Sequence, residues 1–262
     1  MIKTVTATRY VTPLREGGSL PAIVEADDNQ LYVMKFVGAG QGPKALIAEL
    51  LAGEIGRSLG LLIPEIVFME LDPMLARSEP DPEIQDLLKA SAGRLNLGLR
   101  YLPNAFDFNQ LLKPPPAPEL ASKIVWFDAY ITNVDRTARN VNMLICGDTL
   151  WLIDHGAAFY FHHSWDDNYL TRSQTPFSLI NNHTLLPFAS QLSQADAELR
   201  PRLTKKLLSD IVAQIPDNWL GQESTFSTRK KHRAAYVAYL QNRLAAAPIF
   251  VEEAINAHHK LV

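Results

Sequence analysis

Asn133-Val134-Asp135-Arg136-Thr137-Ala138-Arg139-Asn140 runs on through Val141-Asn142-Met143-Leu144-Ile145 and is followed by Leu152-Ile153-Asp154-His155-Gly156. Asp135 stands five residues before Asn140, and Asp154 follows fourteen after that. Met143-Leu144-Ile145 and Leu150-Trp151-Leu152-Ile153 are short apolar runs joined by Gly147-Asp148, which predicts a small hairpin. The spacing thus sets a carboxylate, a carboxamide and a second carboxylate beside the strands of one hairpin. Oxygen donors of this kind suit Mg²⁺, which takes one or two carboxylates and completes its shell with water and phosphates. Asp-x₄-Asn alone is a weak signal, because loops are rich in both residues. It gains weight from Lys35 and Glu49 in a Lys-x₁₃-Glu arrangement upstream, and from Ile-Asp-x-Gly after the hairpin.

Upstream of this stretch the chain reads as strands. Val5 to Thr12, Pro21 to Ala26 and Gln30 to Val37 are β-branched or aromatic runs separated by Arg15–Ser19 and Asp27–Asn29, which predicts two hairpins and a small antiparallel sheet. Helical spacing takes over from Pro43 to Leu59, closed by Gly60 and barred from continuing by Pro64. Ile66 to Leu71 and Leu97 to Leu102 read as further strands flanking a helical hairpin around Pro82 to Ala90. Downstream the character is mostly helical. Pro114-Pro115-Pro116-Ala117-Pro118 is a stiff spacer before a helix from Glu119 to about Ile131. After the hairpin come loop-rich residues, a helix near Pro201 to Ile215, and a last helical segment from Arg229 to about Ala257. The expected class is α+β. A small antiparallel-sheet lobe over residues 1–103 would face a mainly helical lobe over 104–262, with a cleft between them.

Composition narrows the field. The 262 residues are 47% hydrophobic and 20% charged, with a mean hydropathy of −0.05, which excludes disorder and coiled coil. Setting 25 bases against 28 acids gives a net charge of −3, so no global positive field exists to draw nucleic acid or an anionic membrane. A single cysteine, Cys146, allows no intramolecular disulfide and no thiolate-rich metal site. The start has no apolar leader core, and no stretch approaches the ~20 apolar residues of a spanning helix. A cytoplasmic protein without a membrane partner is expected.

Phosphoryl transfer asks for the residue set found here. One Asp accepts or positions the proton of the nucleophile, an Asn and an Asp hold metal bridging the phosphates, and a Lys with a Glu partner fixes the nucleotide. Lys35 shares a strand face with Leu31 and Val33, an alternation that does not decide which face lines the core. Glu49 falls among Ala45, Ala52, Gly53 and Gly56, a stripe of small residues that lets another element come close, with Glu54 as the rival partner for the lysine.

These motifs make the chain resemble the HipA-like branch of the protein-kinase-like superfamily, from about Val5 to Leu220. The resemblance rests on Tyr-Val-Met-Lys35, on Glu49 eleven residues before Gly60, on Asp135 to Asn140, and on Ile-Asp154-His-Gly156. It implies a bilobal protein-kinase-like fold, shorter than full HipA toxins and without their separate N-terminal subdomain. It further implies ATP and Mg²⁺ as cofactors, with Lys35 on the phosphates, Asp135 as catalytic base, and Asn140 and Asp154 on the metal. Leu97 to Leu102, Arg100 and Leu102 among them, would border the adenine. Asn142 competes with Asn140, because aliphatic residues follow it directly, but the spacing from Asp135 favours Asn140. Thr137 stands where the family often has His, and His155 stands in place of the phenylalanine of Asp-Phe-Gly.

Two glycine loops compete for the phosphates. Gly17, Gly18 and Ser19 join the first two strands, where a kinase loop would cover the nucleotide. Gly38 to Lys44 does not complete a Walker A pattern, since Pro43 follows the last glycine, and reads as a connector assisting the phosphates. His162, His163, Asp166 and Asp167 have the residue types of a metal cluster, though the segment reads better as part of an acceptor site. The basic run Arg229 to Arg233 reads as a solvated helix face. The leading expectation is an ATP- and Mg²⁺-dependent phosphotransferase acting on a protein Ser or Thr hydroxyl. A small-molecule kinase and a nucleotide-binding pseudokinase serving as an interaction module are the alternatives.

Overall fold

Five strands of the first hundred residues close on themselves. They are β1 (Thr4–Pro13), β2 (Ala22–Ala26), β3 (Leu31–Lys35), β4 (Ile66–Leu71) and β5 (Asn96–Arg100), in the order β1-β2-β3-β5-β4 with β4 returning to β1. The computed structural model describes residues 2–14, 20–40, 42–111, 113–221 and 225–261. The sheet is therefore a small barrel rather than the purely antiparallel sheet expected. Thr4 to Ala7 pair in parallel with Phe68 to Leu71, while the rest of β1 pairs antiparallel with β2. Register shifts between Ala7 and Arg9 and between Tyr10 and Thr12 bend β1, so one strand serves two neighbours and no long edge stays open. Tyr32 and Met34 are buried in the barrel's core cluster with Val5, Val24 and Met69. The same cluster takes in Ile84 and Leu88 from α3 (Pro82–Ser91), which follows the short α2 (Leu75–Ser78). By alternation, Lys35 lies on the opposite face of β3.

That outer face is covered by α1 (Gly42–Ser58). A Cβ on Gly53 would come within 2.3 Å of the Ile66 side chain, and one on Gly56 within 2.4 Å of Ile63 and 3.1 Å of Phe127. The small-residue stripe thus lets α1 sit close against β4 and against α4 (Pro118–Ile131), and the larger hydrophobic core runs from α1 into the helical half.

Behind α4 lies a three-stranded sheet of β6 (Phe106–Asp107), β7 (Met143–Cys146) and β8 (Thr149–Leu152), all antiparallel. The hairpin was expected; β6 was not, because two residues carry no periodicity. The remaining helices are α5 (Tyr169–Arg172), α6 (Leu192–Leu199), α7 (Lys205–Ala213), α8 (Arg229–Ala245) and α9 (Ala247–His259). The expected helix from Pro201 begins only at the Thr204 cap, whose hydroxyl accepts from the Leu207 N–H, and α6 falls in the stretch read as loop. The last segment is two helices, since Pro248 at the start of α9 cannot continue α8. Among the described residues, no helix is long and apolar enough to cross a membrane.

Candidate active site

The site is built on the C-terminus of α4. The last four carbonyls of a helix lack regular partners, and here each one is taken, the first by the residues of the helix cap and the other three by more distant parts of the chain. Asp128 O accepts from the Thr132 and Asn133 N–H groups, and Ile131 O accepts from the Phe159 N–H at 2.8 Å. Ala129 O and Tyr130 O accept from the Arg243 guanidinium at 2.7 and 3.0 Å. Arg243 also donates to Ser173 O and Thr175 O, at 3.0 and 2.9 Å, and lies over the Phe250 ring. A buried cation at the negative end of α4 therefore holds the segment at Ser173 and Thr175, after the hairpin, to that helix.

Asp128 organises the loop itself. Its carboxylate is fully buried and accepts from Asn133 Nδ2 (2.9 Å), Arg136 Nε (2.5 Å) and His183 Nε2 (2.8 Å). His183 Nδ1 accepts from the Leu185 N–H at 3.0 Å, which sets the tautomer with the proton on Nε2. Burial works to raise the Asp128 pKa, but the Arg136 charge and the His183 bond outweigh it and hold the carboxyl below its ordinary range. Burial lowers the His183 pKa more than Asp128 raises it, so the imidazole is neutral. From this anchor Arg136 reaches Asn142 O and, at 3.5 Å, Ile153 O. One guanidinium thereby fixes both strands of the hairpin next to Asp135.

Asp135 begins its turn with its N–H donated to Asn133 Oδ1 at 3.2 Å. Its carboxylate accepts from Asn140 Nδ2 at 2.8 Å and from Asn142 Nδ2 at 3.4 Å. The Asn142 amide also donates to Asp135 O at 3.1 Å and to Asp154 O at 3.5 Å, so it is the group that joins Asp135 to Asp154. Asn140 is exposed and Asn142 buried. Thr132, Asn142, Asp154 and Phe159 all have positive φ, from 45° to 55°. Asn and Asp tolerate this region, whereas a β-branched Thr does so only under constraint, and such residues gather at functional sites.

Lys35 Nζ lies between two carboxylates, 2.5 Å from Glu49 Oε2 and 2.6 Å from Asp154 Oδ1. Burial works to lower its pKa, but the charges of Glu49 and Asp154 outweigh it and hold the ammonium above its ordinary value. Burial would likewise raise Glu49, yet the Lys35 charge and the His155 hydrogen bond bring it down to about 2. Glu49 also accepts the His155 N–H at 2.9 Å. The two acids differ in access: the side chain of Glu49 is 0% exposed and that of Asp154 48%. Beside them is a small cavity of about 20 Å³, lined by Lys35, Ala39, Gly42, Ala45, Asp154 and Gly156.

Lys35, Glu49, Asp135, Asn140 and Asp154 thus form one chain of contacts with Asn142 inside it. Glu54 instead pairs with Arg57. Arg100 and Leu102 lie apart: Tyr32 is opposite Arg100 in the β3–β5 ladder and Lys35 opposite Leu97, at the other end. The Arg100 guanidinium donates to Gln30 and lies over Tyr32. Gly17, Gly18 and Ser19 lie outside the described residues. His162 is turned into the core toward Tyr236, and Asp166 toward Asn168 and Arg172, so that segment does not converge. No group of three or more His, Cys, Asp or Glu fit to hold a metal occurs among the described residues. Asp128, His183 and Arg243 carry no signal in the motif pattern. Asp128 does carry one in its surroundings, since it is one acid in the apolar run Ile124 to Ile131 and must find partners inside.

Comparison with solved structures gives the architecture a class. A proinflammatory kinase of Helicobacter pylori, CtkA, superposes with a TM-score of 0.58 at 14% identity, covering 95% of this chain and 94% of that one. The Golgi casein kinase superposes with a TM-score of 0.50 at 13% identity, covering 96% of this chain and 73% of that one, including a structure with Mn/ADP bound. The fold is that of the protein-kinase-like enzymes. The family model for HipA-like kinases matches residues 8–248, and the chain belongs to that family; it is a kinase. No curated protein matches the chain.

Proposed function

We propose that this kinase transfers the γ-phosphate of ATP, with a divalent cation, to a Ser or Thr hydroxyl of a protein. The observation that carries the reading is the unbroken chain of contacts from Glu49 through Lys35, Asp154 and Asn142 to Asp135 and Asn140. Lys35 would bind the phosphates and balance charge that develops on them, held in place by Glu49. Asp135 would take up or orient the hydroxyl proton of the acceptor, its carboxylate aimed by the two asparagine amides. Bonds to a nucleotide would replace the contact between Lys35 and Asp154, which is the one ion pair of the cluster open to solvent.

The donor set fits a hard cation shared with phosphates: two carboxylates and two carboxamides, all offering oxygen and too few to enclose an ion alone. Asp154 with Asn140 or Asn142 would hold it, and Asn142 is the carboxamide tied to Asp154. Such a cation, Mg²⁺ in this reading, would supply positive charge that neutralises the phosphates. The Mn/ADP bound to the Golgi casein kinase supports nucleotide and divalent metal use, and that enzyme's name supports a protein acceptor. Residues 1–103 and 104–262 would be the two lobes, Gly17, Gly18 and Ser19 with the Gly38 to Gly42 loop would cover the phosphates, and Arg100 and Leu102 would border the adenine. The lone cysteine accords with the cytoplasm.

The test is incubation with γ-labelled ATP, Mg²⁺ and either a casein-like protein or a cell lysate. Label is expected on protein. Label on a small compound alone would point to a small-molecule kinase, and ATP binding without turnover to an interaction module. Asp135→Ala should abolish turnover while keeping ATP affinity; undiminished turnover would show that another group is the base. Asn140→Ala and Asn142→Ala, titrated with Mg²⁺, separate the two candidate ligands by which one raises the metal concentration needed.

A further inference from the structure

We infer that His155 is a positioning residue whose ring holds Glu49, and through it Lys35, in the orientation the phosphates require. The functional meaning of this tie rests on the reading of Lys35 as the phosphate-binding cation; the tie itself can be measured separately.

His155 follows Asp154 directly and is fully buried, its ring edge-on to Phe127 with centroids 5.9 Å apart. Its backbone N–H takes Glu49 Oε2, the oxygen that Lys35 also holds. Its ring Nδ1 lies 3.4 Å from the other oxygen, Oε1. Glu49 is ionised beside Lys35, so Nδ1 must carry the proton and donate. This assigns the tautomer from the hydrogen-bond network. Among the described residues Nε2 is buried without a partner. A phenylalanine would fill the same space against Phe127 and leave no bare nitrogen, so packing alone does not account for histidine. The bond from Nδ1 to a buried carboxylate does account for it.

The arrangement also forms a closed circuit. Lys35 grips Glu49 and Asp154, Glu49 grips His155, and His155 is bonded covalently to Asp154. Backbone contact alone would leave Glu49 free to turn about its Oε2; the ring contact at Oε1 removes that freedom. Asp-His-Gly is then a working form of the motif rather than a sign of lost activity.

Two variants separate donor from ring. His155→Phe keeps the packing and removes the Nδ1 proton, while His155→Asn places an amide N–H near the same position and loses the ring. Two readouts are needed: KM for ATP against kcat in the full chain, and the rate at which an amine-acylating reagent labels Lys35, read by mass spectrometry without nucleotide. In His155→Phe, kcat/KM for ATP should fall and Lys35 labelling should rise, each by about tenfold, as for loss of one hydrogen bond to a charged group. His155→Asn should recover most of both. Unchanged kinetics and labelling in His155→Phe, or no recovery in His155→Asn, would overturn the inference while leaving the kinase reading standing. Labelling that responds as expected in a chain that never consumes ATP would uphold the tie and overturn the phosphate-binding role.

Discussion

Two buried carboxylates organise this molecule, and they are built alike. Glu49 holds Lys35 and His155; Asp128 holds Arg136 and His183. Each acid is fully buried, and each is kept ionised by its cation against the cost of burial. They differ in what lies beyond the cation. Lys35 reaches on to Asp154, whose side chain is half exposed, so that centre opens toward solvent. Arg136 reaches on to backbone carbonyls of the hairpin, and that centre is closed. The first can exchange a partner; the second can only hold or break. The two buried charges are thus distinguished by the exposure of their outermost partner, not by their own burial.

The largest expected effect comes from breaking the closed centre. Both Asp128 oxygens face donors, Oδ1 toward Asn133 and Oδ2 toward Arg136 and His183. The amide of Asp128→Asn would set an N–H₂ against one of them and leave Arg136 without a counter-charge. A loss of about 3–5 kcal/mol is expected in urea denaturation. A loss under ~1 kcal/mol would mean that Asp128 does not carry the loop.

Glu49→Gln should cost less, about 1–2 kcal/mol. Lys35 keeps Asp154, Oε1 can still accept from Lys35 and the His155 N–H if the amide turns, and the His155 ring can change tautomer to accept from the amide. Turnover should nevertheless fall, because the lysine loses its fixed charge partner. If Glu49→Gln destabilised the protein as much as Asp128→Asn, the open and closed centres would not differ as described.

The open centre was legible in the sequence and the closed one was not, for a physical reason. Lys35, Glu49, Asp135, Asn140 and Asp154 are residues of the types phosphoryl-transfer chemistry uses, so their order along the chain carries meaning before any fold is known. Asp128 meets His183, and Arg243 reaches the end of α4, only because α4, α8 and the segment near residue 183 pack together, and no spacing rule links them. The strands show the same division. Hairpin neighbours β2 and β3 follow from local alternation, but the parallel pairing of β1 with β4 depends on residues some sixty positions apart and on the bends in β1. The alternation in β3 likewise could not choose a face until the barrel closed around Tyr32 and Met34.

The smallest expected effect is a graded one, and it separates the buried histidines from the buried acids by pH. A buried neutral histidine binds its proton less readily folded than unfolded, so its contribution to stability is full above its ordinary pKa of 6.5 and is lost as pH falls below that value. His183, facing Asp128 and Arg136, behaves this way. So does His162, which faces His163, Lys44, His232 and Tyr236 and lies well below 6.5. Each should add a slope of up to about 1.4 kcal/mol per pH unit below 6.5. Glu49 has the opposite kind of shift, a depressed acid pKa, so its contribution is full above 4.5 and is lost as pH falls from there toward 2. Urea midpoints followed from pH 7.5 downward should therefore show two regions. His183→Gln, which keeps a donor toward Asp128, should reduce the slope of the upper one, where His162 supplies the rest, while Glu49→Gln should reduce the slope of the lower one, to which Asp128 also contributes, and leave the upper one unchanged. If Glu49→Gln altered the slope between pH 6.5 and 5, the two centres would be coupled through the hairpin that Arg136 holds, and the open centre would not titrate independently of the closed one.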